Sequence, residues 1–122
     1  MTNEQLMQKS PDARLAMSLE EISKTQHIWI LTDADGCVFL TSDDEDCVPI
    51  WPTTELAEYW ATGDWENCNP KSISVDDWFQ KWTPGLTIDD VSIAVCPNPD
   101  EAGVVMFPDV FEQELLNIIN AS

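Results

Sequence analysis

The strongest constraint on the fold is the short distance between the first three segments that favour β-structure. Residues 27–32, 37–41 and 47–51 are rich in Ile, Val, Trp, Phe and Thr, which are typical of strands. Turn-forming residues separate them, at 33–36 and 43–46. Because parallel strands need crossovers of about a dozen residues or more, these short connections require antiparallel pairing. The sequence therefore predicts a three-stranded meander.

Two helices are indicated by their capping residues. Ser10 followed by Pro11 is typical of a helix start, and apolar residues then recur at helical spacing, which predicts a helix over 11–25. Thr53 is a suitable N-cap for a short second helix over 54–62, which carries an acidic residue in its first turn. Both helices have an apolar face that must pack against the sheet.

A third helix is predicted by Ser74 and Asp77, whose spacing resembles a capping box. Apolar residues follow as far as Trp82, and the turn-forming residues 83–85 are expected to end this helix. The connection to the last part of the chain would then be a loop.

The second half ends with two further predicted strands, 91–96 and 103–107, and a helix that begins at Pro108. The predicted fold class is therefore α+β, with an antiparallel sheet of about five strands (a three-stranded meander plus a hairpin) packed against about four helices. We expect one domain over residues 1–122, with residues 1–9 as a flexible N-terminus.

The charge of the chain restricts its partners. There are 23 acidic residues against 5 Lys and Arg, a formal net charge of −18. A surface that is negative throughout repels phosphate backbones and anionic lipids, so we expect no nucleic-acid partner and no membrane partner. The same charge favours a basic or mixed-charge protein as the partner, and it does not predict an oligomeric state.

The cysteine pattern points to a reducing compartment. No two of the four cysteines have the C-x-x-C spacing of zinc or redox sites, and the N-terminus lacks the features of a signal peptide. We therefore expect a cytoplasmic protein with free thiols, no metal and no cofactor. The four cysteines are Cys37, Cys47, Cys68 and Cys96.

An ordered set of Trp, Pro and Gly residues runs along the chain. The set comprises Pro49-Ile50-Trp51-Pro52, Ala57, Trp60-Ala61, Gly63, Trp65, Trp82, Pro84-Gly85-Leu86, Pro97-Asn98-Pro99 and Gly103-Val104-Val105. In this set the chain resembles the bacterial domain-of-unknown-function family 2750, from about residue 12 to residue 116. The resemblance implies a small stand-alone bacterial protein, and it implies no catalytic residues because the family has no assigned activity.

Asp33 and Asp35 form the most suggestive catalytic motif. They follow an apolar strand in the pattern D-x-D-G, as in phosphatases of the haloacid dehalogenase type, where the first Asp is the nucleophile. That fold needs parallel strands with helical crossovers, whereas the short connections here require antiparallel pairing. A hairpin turn explains the motif more simply. A small-molecule or divalent-metal binding domain, with hydrolase activity through Asp33 and Asp35, stays an alternative.

Two of the six tryptophans, Trp51 and Trp65, flank the short helix rather than lying on its apolar face. Beside Asp64 and Glu66, a partly exposed Trp would make an anchor for a cationic group. We therefore hypothesise a non-enzymatic interaction or regulatory module for a basic or mixed-charge protein, with Trp51, Trp65, Asp64, Glu66, Asp33 and Asp35 as candidate binding residues. An acidic mimic of nucleic acid is a second alternative.

Overall fold

The computed structural model describes residues 3–34, 36–42, 45–62, 65–98 and 103–121. Its first element is helix α1, Asn3–Met7, whose last residue is buried. Helix α2 spans Pro11–Thr25, and the Ser10 hydroxyl accepts a hydrogen bond from the backbone N–H of Ala13. The predicted boundaries of this helix are confirmed. Its capping residues and periodicity act locally, which is why they could be recognised in the sequence.

The first sheet contains three strands in the order β2-β1-β5. Strand β1 is His27–Asp33, β2 is Gly36–Cys37 and β5 is Asn69–Ser74, and both neighbours pair with β1 antiparallel. The predicted hairpin is present between β1 and β2, but its second strand ends at Cys37 and does not extend over 37–41. Strand β5 was not predicted, because Pro, Lys and Ser favour strands weakly. As an edge strand it tolerates Pro70.

The second sheet has four strands in the order β3-β4-β6-β7. Its strands are β3 (Leu40–Ser42), β4 (Glu45–Ile50), β6 (Ser92–Val95) and β7 (Val104–Met106). Strands β3 and β4 form an antiparallel pair, as do β6 and β7, but β4 and β6 run parallel.

The prediction of one antiparallel sheet of about five strands is therefore wrong, although the α+β class is correct. The long crossover over residues 51–91 allows β4 and β6 to run parallel, and the sequence offered no signal for that pairing. The meander is divided between the two sheets, which meet at an antiparallel bridge between Trp29 and Trp51.

The crossover contains helix α3, Thr54–Trp60, and a longer helical segment after β5. This segment consists of α4 (Val75–Asp77), a π-helix (Trp78–Trp82) and α5 (Thr83–Ile88). The Ser74 hydroxyl accepts a hydrogen bond from the backbone N–H of Asp77, as the capping pattern predicts.

The predicted end of this helix at 83–85 is wrong. In the π-helix the Thr83 N–H reaches the Trp78 carbonyl, so the turn before Pro84 is wider than an α-helical turn. Pro84 then lies at the start of α5, where a missing N–H costs little.

Helix α6, Pro108–Ala121, packs against α2 and α5. Its Phe111 and Leu115 are buried together with Ile22 of α2, Ile28 of β1 and Trp78 of the π-helix. In the described ranges, no helix is long and apolar enough to cross a membrane.

Candidate functional site

Trp51, one of the predicted binding residues, is 0% exposed. Its backbone forms two hydrogen bonds with Trp29, of 3.0 Å and 2.9 Å, which join the two sheets. Its indole Nε1 donates to the Pro97 carbonyl oxygen at 3.1 Å. Trp51 therefore offers no surface to a partner, and its place in the molecule is that of a core residue.

Trp51 belongs to an inner tryptophan cluster of three residues, Trp51, Trp60 and Trp65. The Trp60 ring lies between the other two, with centroids 5.3 Å from Trp51 and 5.4 Å from Trp65. Trp60 is buried, and its Nε1 donates to the Asn98 carbonyl oxygen at 3.2 Å. Trp65 is half-buried, so it is the one member of the cluster with appreciable exposure.

Three successive carbonyl groups, those of residues 96–98, accept hydrogen bonds from buried side chains. Trp51 and Trp60 supply two of these bonds, and the third comes from Arg14, whose Nε lies 2.9 Å from the Cys96 oxygen. Arg14 is fully buried and also donates to the carbonyls of Met7 and Lys9. Because buried carbonyls need donors, these contacts hold the 96–98 segment in place and give the cluster a structural role.

Of the four predicted acidic residues, the structure describes Asp33 and Glu66. Asp33 is exposed at the end of β1, and Glu66 is exposed next to Trp65. Asp35 and Asp64 lie outside the described residues. Within the described ranges no three His, Cys, Asp or Glu side chains are grouped so that they could hold a metal ion.

Two of the thiols, those of Cys68 and Cys96, are poor nucleophiles. Burial raises the pKa of Cys96 to about 11, although Ser18 and the Arg14 guanidinium act in the opposite direction. Burial also raises the pKa of Cys68, and the negative charge of Asp33 adds to this effect. Since the thiolate is the reactive form, neither side chain is suited to nucleophilic catalysis near neutral pH.

A groove of about 500 Å³ lies where the end of α5, strand β6 and the start of α6 meet. We call it the Phe107 groove. Its base contains the buried side chains of Leu86, Val91 and Ser92, and the Phe107 ring stands beside them with 63% of its surface exposed. Its lining residues are Asp46, Leu86, Thr87, Asp90, Val91, Ser92, Phe107, Pro108 and Asp109.

Asp90 occupies a backbone position that usually takes glycine. It follows the end of α5 with φ of 56°, in the left-handed region. Its N–H donates to the Thr87 carbonyl, and the Val91 N–H donates to the Leu86 carbonyl, which together form a Schellman motif. Glycine is preferred at this position because it has no Cβ. Here the position instead carries a carboxylate at the groove.

The start of α6 supplies the opposite wall. The Phe107 carbonyl accepts the first helical hydrogen bond, from the Phe111 N–H at 3.0 Å, so Phe107 is the N-cap residue. Asp109 lies in the first turn, where a negative charge interacts favourably with the helix dipole. The groove thus has exposed carboxylates on both walls, and none of its described lining residues is cationic.

A smaller recess of about 260 Å³ shares two of the groove's lining residues, Ser92 and Phe107. Its other lining residues are Val105, Met106 and Val110, and Val110 is 42% exposed. Phe107 therefore stands between an acidic groove and an apolar recess.

The chain matches the model of a protein family of unknown function, DUF2750, over residues 15–115. It belongs to this family. The resemblance found in the Trp, Pro and Gly residues is thereby confirmed, and the match includes both the inner tryptophan cluster and the Phe107 groove. No curated protein and no solved structure matches the chain.

The sequence hypothesis overlooked Phe107, which it treated as the last residue of a strand. One local signal was present, since an N-cap position before Pro108 usually takes Ser, Thr, Asp or Asn, and an aromatic residue there is unusual. The three groove acids come from distant parts of the chain, at 46, 90 and 109. Only the parallel pairing of β4 and β6, with α6 beside it, brings them to one groove.

Proposed function

We propose that the protein is a non-enzymatic interaction module that binds a basic or mixed-charge segment of another protein in the Phe107 groove. The observation that carries the proposal is a 63% exposed aromatic ring beside a groove whose described lining is acidic and contains no cation. Its volume of about 500 Å³ lies in the usual range for binding pockets, roughly 300–1,000 Å³.

The chemistry of the groove favours a Lys or Arg side chain next to an apolar one. The stem of an Arg or Lys can cover the Phe107 ring, with its charged group near Asp90 and Asp109. A neighbouring apolar side chain of the partner then fits the recess beside Val105 and Met106. Such an anchor in a pocket with a charged rim is typical of protein interaction sites.

The overall charge acts on the rate of association. With a formal net charge of −18, the domain attracts a basic partner over distances longer than direct contact, and this attraction weakens as salt is added. The groove residues determine where the partner binds, while the general charge determines how fast it arrives.

The proposal can be tested by retaining partners from lysate on the immobilised protein at low and at high salt. The groove variants are Phe107→Ala and the pair Asp90→Asn with Asp109→Asn. Glu4→Gln with Asp76→Asn is a matched control that removes two exposed acids elsewhere. We expect the wild type and the control to retain the same protein, and the groove variants to lose most of it.

The proposal fails if the wild type retains no protein at either salt concentration. It also fails if the retained protein binds equally well to the groove variants, because the contact would then lie elsewhere. Equal losses in the control pair and the groove pair would mean that general charge alone is responsible.

A further inference from the structure

A second groove, of about 240 Å³, lies between the edge strand β5 and the helical segment that follows it. We call it the Trp82 groove. Four consecutive strand residues form one side, and the turn from Asp77 to Trp82 forms the other. Its lining residues are His27, Lys71, Ser72, Ile73, Ser74, Asp77, Lys81 and Trp82.

This groove contains an unusual share of the cationic side chains. The chain has five Lys and Arg residues and one His. Arg14 is fully buried on backbone carbonyls, and Lys24 lies 3.3 Å from Glu20 in an ion pair. Two of the five, Lys71 and Lys81, line the Trp82 groove together with His27, and Asp77 is the single acidic lining residue among those described.

The two lysines are available to a ligand. Across the described part of the chain, no carboxylate lies within ion-pair distance of Lys71 or Lys81, and both side chains are exposed. Among the charged lining residues two lysines face one acid, Asp77, and acids more than about 8 Å away are largely screened at physiological salt. The groove is therefore locally suited to an anion although the whole chain is strongly acidic.

The aromatic wall belongs to a stacked pair of tryptophans. Trp82 stacks on the fully buried Trp78, with ring centroids 5.2 Å apart and an angle of 3° between the ring planes. The π-helix positions both rings, and π-helical turns occur frequently at functional sites. Trp78 covers one face of the Trp82 ring, and the half-buried Trp82 lines the groove.

The size of the groove restricts the ligand further. A volume of about 240 Å³ is smaller than the roughly 300–1,000 Å³ of pockets for drug-sized ligands, which points to a single ring rather than a nucleotide. Trp82 supplies a stacking surface for that ring, and Lys71 and Lys81 supply charge-assisted donors for an acidic group. Ser72 adds a hydroxyl.

We infer that the Trp82 groove binds a small aromatic anion, with the ring against Trp82 and the carboxylate or phosphate group against Lys71 and Lys81. This site is separate from the Phe107 groove, and no lining residue is common to the two.

The inference is tested by NMR titration of the indole N–H signal of Trp82, assigned by its absence from Trp82→Phe. The probes are benzoate, phenyl phosphate, inorganic phosphate and benzylamine. We expect both aromatic anions to bind at least about tenfold more tightly than benzylamine or inorganic phosphate. The tighter of the two aromatic anions identifies the acidic group that the site prefers.

Two matched double variants separate the groove from the general charge. Lys71→Gln with Lys81→Gln should weaken benzoate binding at least about tenfold, whereas Lys9→Gln with Lys24→Gln should leave it within about twofold. Circular dichroism confirms that each variant folds. None of these changes touches the Phe107 groove, so retention of a protein partner should be unaffected.

The inference is overturned if neither aromatic anion gives a saturable shift, or if benzylamine binds as tightly as benzoate. Inorganic phosphate binding as tightly as phenyl phosphate would also overturn it, because the ring would then contribute nothing. An equal loss in both lysine pairs would show that overall charge, not the groove, governs the binding.

Discussion

The inner tryptophan cluster and the Phe107 groove both contain large aromatic side chains, but these side chains differ in burial and in hydrogen bonding. Trp51 and Trp60 are buried, and each donates its indole N–H to a backbone carbonyl of residues 96–98. Phe107 has no polar side-chain atom and is 63% exposed. An aromatic residue that satisfies a buried carbonyl serves the fold. An exposed aromatic side chain beside a groove is available for contact with a binding partner.

The two regions also differ in their charge. Beside the cluster, the buried Arg14 side chain donates hydrogen bonds to three backbone carbonyl oxygens. The Phe107 groove instead presents exposed carboxylates. A non-glycine residue with a left-handed backbone occurs in both regions, Cys96 beside the cluster and Asp90 at the groove. The cluster region therefore contains a buried, hydrogen-bonded positive charge, whereas the groove contains exposed negative charges.

The largest expected effect is on the cluster. Trp51→Ala should lower the free energy of unfolding by about 4 kcal/mol, because it leaves a cavity and an unsatisfied carbonyl. Trp51→Phe keeps most of the ring and should lower it by about 2 kcal/mol. Urea denaturation measures both. If Trp51→Ala lowered the free energy of unfolding by less than about 1 kcal/mol, the cluster would not be structural, and the contrast with the Phe107 groove would fail.

The next effect is a loss of stability at high pH. The Cys96 thiol has a pKa of about 11 in the folded protein against an ordinary value of 9.0. Because the folded pKa is raised, the folded state holds the proton more tightly. The contribution of the protonated Cys96 thiol to the free energy of unfolding is complete below pH 9. It is lost between pH 9 and pH 11, by about 2–3 kcal/mol in total.

Other groups also titrate between pH 9 and pH 11. The contribution of the Cys96 thiol is therefore measured as the difference between the wild type and Cys96→Ala. The free energy of unfolding of the wild type should fall more steeply than that of the variant between pH 9 and pH 11. If the free energy of unfolding fell equally with pH in both proteins, the Cys96 thiol would not be buried, and the 96–98 segment would be open to water.

A smaller effect, of opposite sign, is expected at the groove. Asp90→Gly should raise the free energy of unfolding by about 0.5–1 kcal/mol, because glycine adopts the left-handed conformation without strain. The same change removes a groove carboxylate and should weaken partner binding. Asp90→Asn, which also tolerates this conformation, should weaken binding with little effect on stability. A Gly variant that is less stable than the wild type would show that the Asp90 side chain supports the fold.

The smallest expected effect on stability is that of Phe107→Ala, because Ala, unlike Ser, adds no capping side chain at the start of α6. An exposed side chain contributes little to folding, so the free energy of unfolding should change by less than about 0.5 kcal/mol. Partner retention, by contrast, should be largely lost. Thermal unfolding together with the retention assay checks both expectations, and strong destabilisation would assign Phe107 to the core alongside the tryptophans.

Local signals in the sequence predicted local structure well. Ser10 and Pro11 marked the start of α2, Ser74 and Asp77 marked the start of α4, and Pro108 marked the start of α6. Each signal acts through hydrogen bonds or backbone angles within a few residues, so no distant contact is needed to recognise it.

The signals failed where a distant segment decides the outcome. Strand β5 forms because β1 offers it a full set of hydrogen-bonding partners, although Pro70 and Lys71 favour strands weakly. Trp51 looked like a residue at a helix boundary, but the 96–98 segment buries it. Neither contact is visible from the neighbouring residues.

The sequence by itself determined the α+β class, the starts of α2, α3, α4 and α6, the strongly acidic composition and the family. These follow from composition, short-range spacing and an ordered set of Trp, Pro and Gly residues. The tertiary structure alone decided the parallel pairing of β4 and β6, the burial of Trp51 and the two grooves. The physical reason is that a groove is made by residues far apart in the chain, and only the packing of sheets and helices sets which side chains meet.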